Sequence, residues 1–372
     1  MNASALPPIV VLYGGRSAEA EVSVVSGSAI AAALLGRHAA VTQLLVLRDG
    51  RGLLLPAGHL RGERPAADYT APDVATALGA GSPHDCAQLL DDLRRAAPNL
   101  VAIPALHGPG DEDGPVQALL ATAGINYVGA EPAAAALGMD KPRFKDLATR
   151  IGIPVLPHIV VTAANWLVKA GRETSIAAVE QFARSAAVDG ALMVKPAAHG
   201  SSIGMSIARS PEEWRAAVDR ALSYGDRALL EPYLSHPREL EVALLERPDG
   251  TVEAYGPGEV FPGHDFYDYE AKYAPGVSRT STEPVLDAAL RSDLLTAARR
   301  LFAAAGIRGL SRLDFLAPRD GGGWFMSEVN TFPGFTPISL YPKLVEAAGI
   351  PFADLCVLLV ETAVARPAGS QR

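Results

Sequence analysis

The stretch that decides the fold lies near the end of the chain and reads Ser311-Arg312-Leu313-Asp314-Phe315-Leu316, then a turn from Pro318 to Gly323, then Trp324-Phe325-Met326-Ser327-Glu328-Val329-Asn330. Because side chains alternate along a strand, Arg312 and Asp314 share one face, as do Glu328 and Asn330. A hairpin would bring a guanidinium, two carboxylates and a carboxamide onto one patch, and such oxygen ligands suit Mg²⁺. An amphipathic hairpin with a solvated polar face is the competing interpretation of these strands taken alone.

Composition narrows the class of protein. The chain has 372 residues, 49% of them hydrophobic and 20% charged, which predicts two or three folded domains and excludes overall disorder. Acidic residues outnumber basic ones by 41 to 33, and the net charge of −8 disfavours nucleic-acid and membrane partners. The N-terminus lacks the pattern of a signal peptide and no apolar run approaches about 20 residues, so a soluble cytoplasmic protein is expected. Cys86 and Cys356 are far apart and are expected to be separate buried thiols.

Lysine is scarce in this chain and absent from the first 140 residues. The lysines are only Lys141, Lys145, Lys169, Lys195, Lys272 and Lys343. The bias towards arginine is typical of a GC-rich genome, so each remaining lysine invites a specific explanation.

The first third of the chain alternates short β-branched runs with alanine-rich helical stretches. Runs at Ile9 to Tyr13, Val41 to Leu47 and Leu100 to Pro104 predict a βαβ domain with a largely parallel sheet. Later, helices are expected over Lys141 to Arg150 and Pro211 to Leu222. The polar, aromatic stretch from Phe261 to Ser281 is predicted to be a long loop, and such loops are usually functional.

Two small-residue loops follow predicted strands. Ala197 to Gly204 comes after a strand that ends at Lys195, and its glycines and serines would let backbone N–H groups approach a phosphate, although an ordinary turn has the same composition. The loop Tyr13-Gly14-Gly15-Arg16-Ser17 lacks the full G-x-G-x-x-G spacing and an acidic ribose ligand, which argues against a nicotinamide dehydrogenase. It is better explained as a turn that lifts the following polar residues into a cleft.

Together the motifs form a recognisable order. They are Gly14-Gly15-Arg16-Ser17-Ala18-Glu19-Ala20-Glu21-Val22-Ser23, His107-Gly108-Pro109 with Glu112-Asp113-Gly114, Met139-Asp140-Lys141, Val194-Lys195-Pro196 with Gly200-Ser201-Ser202-Ile203-Gly204-Met205, Phe266-Tyr267-Asp268-Tyr269-Glu270-Ala271-Lys272-Tyr273, and Glu328-Val329-Asn330-Thr331 with Pro333-Gly334-Phe335-Thr336-Pro337. From residue 9 to about 362, the chain resembles the D-alanine–D-alanine ligases of the ATP-grasp superfamily.

This resemblance implies an α/β fold whose ATP-binding part is α+β. The expected domains are a Rossmann-like N-terminal domain over 1–129, a central ATP-grasp domain over 130–235, and a C-terminal ATP-grasp domain over 236–372 that carries the metal site and a lid loop at 261–281. ATP would lie between the last two domains and phosphorylate the carboxylate of the first D-alanine, and the amine of the second would then attack the acyl phosphate. ATP, D-alanine and two Mg²⁺ or Mn²⁺ are the implied ligands, and a homodimer is expected from the family.

The resemblance also assigns roles to individual residues. The positions that match catalytic residues are Glu19, Ser201, Tyr273, Arg312 and Gly334. Those that match ATP-binding residues are Lys141, Lys195, Glu231, Leu234, Glu239 and Lys272. His107 and Ser339 match substrate-binding positions, and Asp314, Glu328 and Asn330 match the metal ligands. Lys145, Lys169 and Lys343 match no such position and are predicted to be surface charges.

Three positions depart from the family pattern. Asp111 replaces a usual Gly, Ala198-His199 replaces a common Arg-Glu pair, and Pro232 replaces a frequent Lys beside the adenine. The intact Phe266 to Tyr273 run favours an amine as the second nucleophile, in peptidoglycan precursor synthesis. A same-mechanism ligase with another second substrate, such as D-serine, or one that makes a natural-product dipeptide, stays open as an alternative. So does a catalytically silent ATP-binding protein.

Overall fold

A computed structural model describes residues 6–37, 39–56, 59, 69, 73–186, 190–263, 278–319 and 321–366. In chain order, the strands are β1 (Ile9–Gly14), β2 (Val41–Val46), β3 (Gly52–Leu54), β4 (Val101–Pro104), β5 (Asn126–Tyr127), β6 (Ile159–Thr162), β7 (Leu192–Pro196), β8 (Ser206–Ala208), β9 (Arg227–Pro232), β10 (Arg238–Glu246), β11 (Val252–Phe261), β12 (Arg279–Ser281), β13 (Leu310–Ala317) and β14 (Phe325–Asn330). The helices are α1 (Ala20–Gly36), α2 (Val74–Ala77), α3 (Cys86–Ala96), α4 (Pro115–Thr122), α5 (Pro132–Met139), α6 (Lys141–Arg150), α7 (Ala163–Trp166), α8 (Lys169–Ala186), α9 (Pro211–Leu222), α10 (Ala288–Ala304), α11 (Leu340–Ala347) and α12 (Phe352–Ala365).

The N-terminal sheet has the strand order β3-β2-β1-β4-β5. β1 pairs in parallel with β2 and β4, β4 pairs in parallel with β5, and only β3 is antiparallel. The predicted largely parallel sheet is therefore confirmed. Since parallel strands end at the same edge, the loops after β1 and β4 meet where the chain turns to opposite sides of the sheet, which is the usual place for a ligand.

The central sheet is antiparallel, with the order β6-β9-β7-β8. Helices α7, α8 and α9 cover it and bury Trp166, Trp214 and Val218 against Leu192 and Leu230. α9 begins at Pro211 as predicted, because Ser210 caps it by accepting a hydrogen bond from the backbone N–H of Glu213. This sheet carries the loop between β7 and β8 and the end of β9.

The third sheet, also antiparallel, has the order β12-β11-β10-β13-β14. β10 is buried on both faces. On one face, Leu240, Val242 and Leu244 pack in a core that helices α5, α6 and α10 share. On the other, Ala243 and Leu245 join the core that contains α1, α11, α12 and the N-terminal sheet. The third sheet therefore lies between two cores, one shared with α5, α6 and α10 and the other shared with the N-terminal sheet, α1, α11 and α12.

The predicted long loop is shorter than expected at both ends. β11 runs to Phe261, and Arg279–Ser281 forms β12, with Phe261 opposite Arg279 and Val260 opposite Thr280. β11 was not predicted because Gly256-Pro257-Gly258, in its middle, has the composition of a turn. Residues 264–277 of the predicted loop lie outside the described residues.

Among the described residues, no single helix is long and apolar enough to cross a bilayer. α11 and α12 meet the criteria of length and composition only as a pair, and the pair is bent by 98°. Both cysteines are free, and Cys356 is buried as predicted, whereas Cys86 is only half-buried.

Candidate active site

Two adjoining cavities share one wall. The first cavity takes residues from the loops after β1 and β4 and from the segment 328–340, and the second lies between the central and third sheets. The residues that line both are Lys141, Glu241, Arg312 and Glu328. The two cavities therefore meet at these four side chains.

The predicted hairpin forms the shared wall. Asp314 lies directly opposite Glu328 in the β13–β14 register, and Arg312 lies opposite Asn330. Arg312 donates from Nε to Asp314 Oδ1 at 2.8 Å and from Nη2 to Asp314 Oδ2 at 2.7 Å. Burial acts to lower the pKa of Arg312, but Asp314 and Glu241 outweigh it and raise the pKa well above its usual value. A permanent positive charge is thus held between the cavities.

Glu241 is part of this charge cluster, although the sequence reasoning missed it. It lies on β10 opposite Asp314, and its Oε2 is 3.2 Å from Nε of Arg312. Only 5% of the residue is exposed. The alternation along β10 places Glu241 on the same face as Glu239. Its spacing of two residues from Glu239, which was assigned to ATP binding, could therefore have indicated that Glu241 also faces the site.

The donor chemistry of the hairpin fits a hard divalent cation. Asp314, Glu328 and Asn330 offer only oxygen ligands, as Mg²⁺ requires. Within the described residues, no group of three or more His, Cys, Asp and Glu side chains is arranged to hold a metal ion. Asp314 is engaged by Arg312, while Asn330 Oδ1 accepts a hydrogen bond from the N–H of Phe332 at 3.2 Å. To hold a cation, Asp314 and Asn330 would have to turn away from these partners.

A buried Lys–Glu–Lys cluster lies at one side of the second cavity. Glu231 forms ion pairs with Lys145 at 2.6 Å and with Lys195 at 2.5 Å. Burial alone would raise the pKa of Glu231, but the two ammonium groups outweigh it and hold the pKa at about 2. Burial lowers the pKa of Lys145, whereas the pKa of Lys195 is raised because its pairing with Glu231 exceeds the effect of burial.

The prediction that Lys145 is a surface charge is wrong. Only 1% of Lys145 is exposed, whereas Lys169 is exposed as expected and Lys343 is half-buried. The difference arises because Lys145 follows Lys141 by one helical turn and shares the buried face of α6 with Phe144. That spacing could have indicated a second inward lysine, but a local pattern does not reveal the partner on β9.

Lys141 joins the small-residue loop to the hairpin. Its Nζ donates to the carbonyl oxygen of His199 at 2.6 Å and lies 3.4 Å from Glu328 Oε2. In the same loop, Ser201 and Ser202 have φ of +50° and +56°, which is a strained conformation for residues with side chains. Such strain is typical of functional loops, and here it turns Ser201 towards the first cavity.

The far end of the first cavity contains Glu19, which is 5% exposed. Ser201 donates its hydroxyl hydrogen to Glu19 Oε1 across a sequence separation of 182 residues. His107 is buried beside them, with Nε2 3.3 Å from Ser26 Oγ and Nδ1 3.6 Å from Glu112 Oε2. Burial lowers the pKa of His107, but Glu112 outweighs it and raises the pKa above its usual value.

The remaining assigned residues fall into three groups. Gly334 and Ser339 line the first cavity, where Ser339 Oγ is 2.8 Å from Thr336 Oγ1 and accepts a hydrogen bond from the N–H of Thr336 at 3.1 Å. Leu234 and Glu239 line the second cavity. Lys272 and Tyr273 lie outside the described residues.

Comparison with known proteins gives matches over most of the chain. A family model described as "D-ala D-ala ligase N-terminus" matches residues 8–130, and one described as "D-ala D-ala ligase C-terminus" matches residues 147–361. The D-alanine–D-alanine ligase of Heliobacterium modesticaldum is 38% identical, over 98% of this chain and 96% of that protein.

Two solved structures are similar to this chain in fold. D-alanyl-alanine synthetase A from Vibrio cholerae is 28% identical with a TM-score of 0.75, covering 98% of this chain and 100% of that one. A D-Ala:D-Ser ligase from Enterococcus faecalis, at 24% identity and a TM-score of 0.78 over 96% of this chain and 99% of that one, shows the fold alone. These matches confirm the predicted α/β ATP-grasp fold. The chain belongs to the D-alanine–D-alanine ligase family.

Proposed function

We propose that this protein joins two D-alanines into D-alanyl-D-alanine with hydrolysis of ATP to ADP and phosphate, for peptidoglycan precursor synthesis. The observation that carries the proposal is the wall shared by the two cavities, because Arg312, Lys141 and Glu328 face both. ATP would occupy the second cavity and the amino acids the first. A carboxylate oxygen of the first D-alanine attacks the γ-phosphorus, and ADP leaves. The amine of the second D-alanine then attacks the carbonyl carbon, and phosphate leaves with the original carboxylate oxygen.

Each stage builds negative charge that fixed cations can stabilise without reorganisation. Lys141 and Lys195 would hold the nucleotide phosphates, and Arg312 would stabilise the transferring phosphoryl group and the tetrahedral oxyanion, assisted by the backbone at Gly334. Asp314, Glu328 and Asn330 would hold two Mg²⁺ or Mn²⁺ ions, which neutralise phosphate charge when bound.

The other assignments complete the proposal. Glu19 receives the ammonium of the first D-alanine, and Ser201 holds Glu19 in place. His107 lies beside that substrate, and Ser339 binds the carboxylate of the second. The residues proposed for adenine and ribose are Glu231, Leu234 and Glu239. Lys272 and Tyr273 would act from the lid loop.

The organisation of the protein is part of the same proposal. We place the domain boundaries at 129/130 and 235/236. We also propose a homodimer, which is the state expected for the family, and a cytoplasmic location, which the intracellular supply of ATP supports.

A panel of amino acids tests the function directly. ADP release would be measured with ATP, Mg²⁺ and D-alanine, with D-alanine plus D-serine, D-lactate or other D-amino acids, and with L-amino acids. D-Alanine alone is expected to support turnover, with the dipeptide and ADP formed in equal amounts. If D-alanine alone is inert while another pair turns over, the protein is a same-mechanism ligase with a different substrate. If no pair supports ADP release, the ligase proposal fails.

Lys195→Arg is expected to weaken ATP use. Lys195 is almost fully buried, with Nζ 2.5 Å from Glu231, so the larger planar guanidinium would not reproduce the position of a compact ammonium. Losing a charged contact to phosphate costs ~1.5–3 kcal/mol, which corresponds to a rise in KM for ATP of about tenfold or more. Lys169→Arg, at an exposed helix start, is the matched control and should leave KM unchanged. Equal tolerance at both positions would contradict the assignment.

A further inference from the structure

A buried carboxylate outside the assigned site residues, that of Asp111, precedes Glu112 in the chain, and Glu112 lines the first cavity. Asp111 belongs to the loop between β4 and α4, is 4% exposed, and donates its backbone N–H to Gly108 O at 3.1 Å. Its Oδ2 accepts a hydrogen bond from the backbone N–H of Arg16 at 3.1 Å. A side chain of the second loop thus holds the main chain of the loop that follows β1.

The first loop is shaped to accept this carboxylate. Gly15 has a φ of +101°, and a Cβ at that position would overlap Asp111 Oδ2. Burial raises the pKa of Asp111 to about 6, although the N–H groups of Arg16 and Ser17 act to lower it.

From this anchor, a series of contacts leads to the substrate cavity. Ser17 Oγ donates to the carbonyl oxygen of His107 at 2.5 Å and accepts the N–H of Glu19 at 3.1 Å. Glu19 in turn accepts the hydroxyl hydrogen of Ser201. Asp111 therefore holds the backbone of Arg16, and the next residue, Ser17, holds the backbone N–H of Glu19.

We propose that Asp111 is a positioning residue that sets the affinity of the first amino-acid site by anchoring the Gly15–Ser17 backbone and, through Ser17, the carboxylate of Glu19. Asp111 is not among the described residues that line either cavity, so it acts through the loop rather than by touching the substrate. Because the nucleotide cavity lies on the other side of the shared wall, the effect is confined to the amino acid.

The proposal rests on the proposed ligase function, so the assay must isolate the first site. Saturating hydroxylamine would trap the acyl phosphate, since its nitrogen attacks the carbonyl carbon and phosphate leaves, giving D-alanyl hydroxamate. The rate at varied D-alanine, at pH 7.5 and saturating ATP, then reports KM for the first site. Asp111→Gly, Asp111→Ala and Asp111→Asn would be compared with wild type. Asp49→Asn, at an exposed aspartate in the turn after β2, is the control.

We expect Asp111→Gly and Asp111→Ala to raise KM for D-alanine at least fivefold, with kcat and KM for ATP within twofold of wild type. Asp111→Asn keeps an acceptor oxygen of the same shape and should recover most of the affinity. If Asp111→Gly fails to fold, Asp111→Ala provides the same comparison without the added backbone freedom of glycine. An unchanged KM for D-alanine, an equal rise in KM for ATP, or an asparagine variant as weak as the alanine variant would overturn the proposal. Absence of hydroxamate with wild-type protein would instead overturn the ligase function.

Discussion

Asp314→Asn is expected to lower kcat by about 100- to 1,000-fold, because the proposed mechanism depends on preorganised charge at the shared wall. The substituted side chain would keep the shape and one acceptor oxygen, but it would lack the negative charge that orients Arg312 through two hydrogen bonds of 2.8 and 2.7 Å. The same change removes an anionic oxygen that the donor set offers to a divalent cation. ADP release in the presence of both substrates measures the loss, and the unfolding midpoint shows whether the fold persists.

The matched control lies on the same sheet. Glu253 on β11 forms an ion pair with Arg247 at 2.6 Å but is half exposed and is not among the described residues that line either cavity. Glu253→Gln should therefore leave kcat within twofold of wild type. If Asp314→Asn retains wild-type turnover, the hairpin does not carry the chemistry. Absence of ADP release from the wild-type protein would instead favour a catalytically silent ATP-binding protein.

Glu231→Gln is expected to have the largest effect on stability, lowering the free energy of unfolding by about 3–5 kcal/mol. The substitution leaves Lys145 and Lys195 in the interior without their shared counter-charge. Lys145 suffers most, because it is 1% exposed and, among the described residues, keeps as its hydrogen-bond acceptor the carbonyl oxygen of Met326 at 3.3 Å. Denaturant unfolding followed by circular dichroism measures the loss.

A surface glutamate with two basic neighbours serves as the control. Glu180 lies 3.9 Å from both Arg184 and Arg215, and solvent screens these pairs, so Glu180→Gln should change stability by less than about 0.5 kcal/mol. Lys145→Met combined with Glu231→Gln should recover part of the loss, since it removes the more deeply buried charge. Equal stability of the Glu180 and Glu231 variants would show that the buried cluster contributes nothing.

The same cluster predicts a dependence of stability on pH. The pKa of Glu231 is about 2 in the folded protein, below its usual value of 4.5, so its contribution is complete above the usual value and is lost as the pH falls. The window lies between about pH 5 and pH 2. Wild-type protein should lose stability across this window more steeply than the Glu231→Gln variant, and parallel curves would contradict the account.

The periodicity of the sequence predicted the hairpin well because the residues that determine it lie close together in the chain. Alternation along two strands, with a turn between them, predicted that Asp314 and Glu328 share one patch, and the structure pairs them directly. The helix Lys141–Arg150 was equally accessible, since Asp140 caps it and Pro142 lies in its first turn. In both cases, residues close in sequence determine the element.

What the sequence did not reveal depends on partners far along the chain. Lys145 resembles a surface lysine until β9 brings Glu231 to it, and Glu241 becomes relevant only because β10 pairs with β13. Asp111 was visible only as a departure from a motif, and its contact with Arg16 spans 95 residues. Burial that is set by tertiary packing, rather than propensity, decides the role of each of these charges.

Transfer of an oxygen isotope tests most directly the claim that the two cavities form one ligase site. D-Alanine labelled with ¹⁸O in both carboxylate oxygens would be supplied with unlabelled ATP, and the phosphate released would be analysed by mass spectrometry. Attack of the carboxylate on the γ-phosphorus, followed by attack of the amine on the carbonyl carbon, predicts one ¹⁸O atom in each phosphate for every dipeptide formed. Unlabelled phosphate would show that water, not the amino acid, receives the phosphoryl group, and would contradict the account.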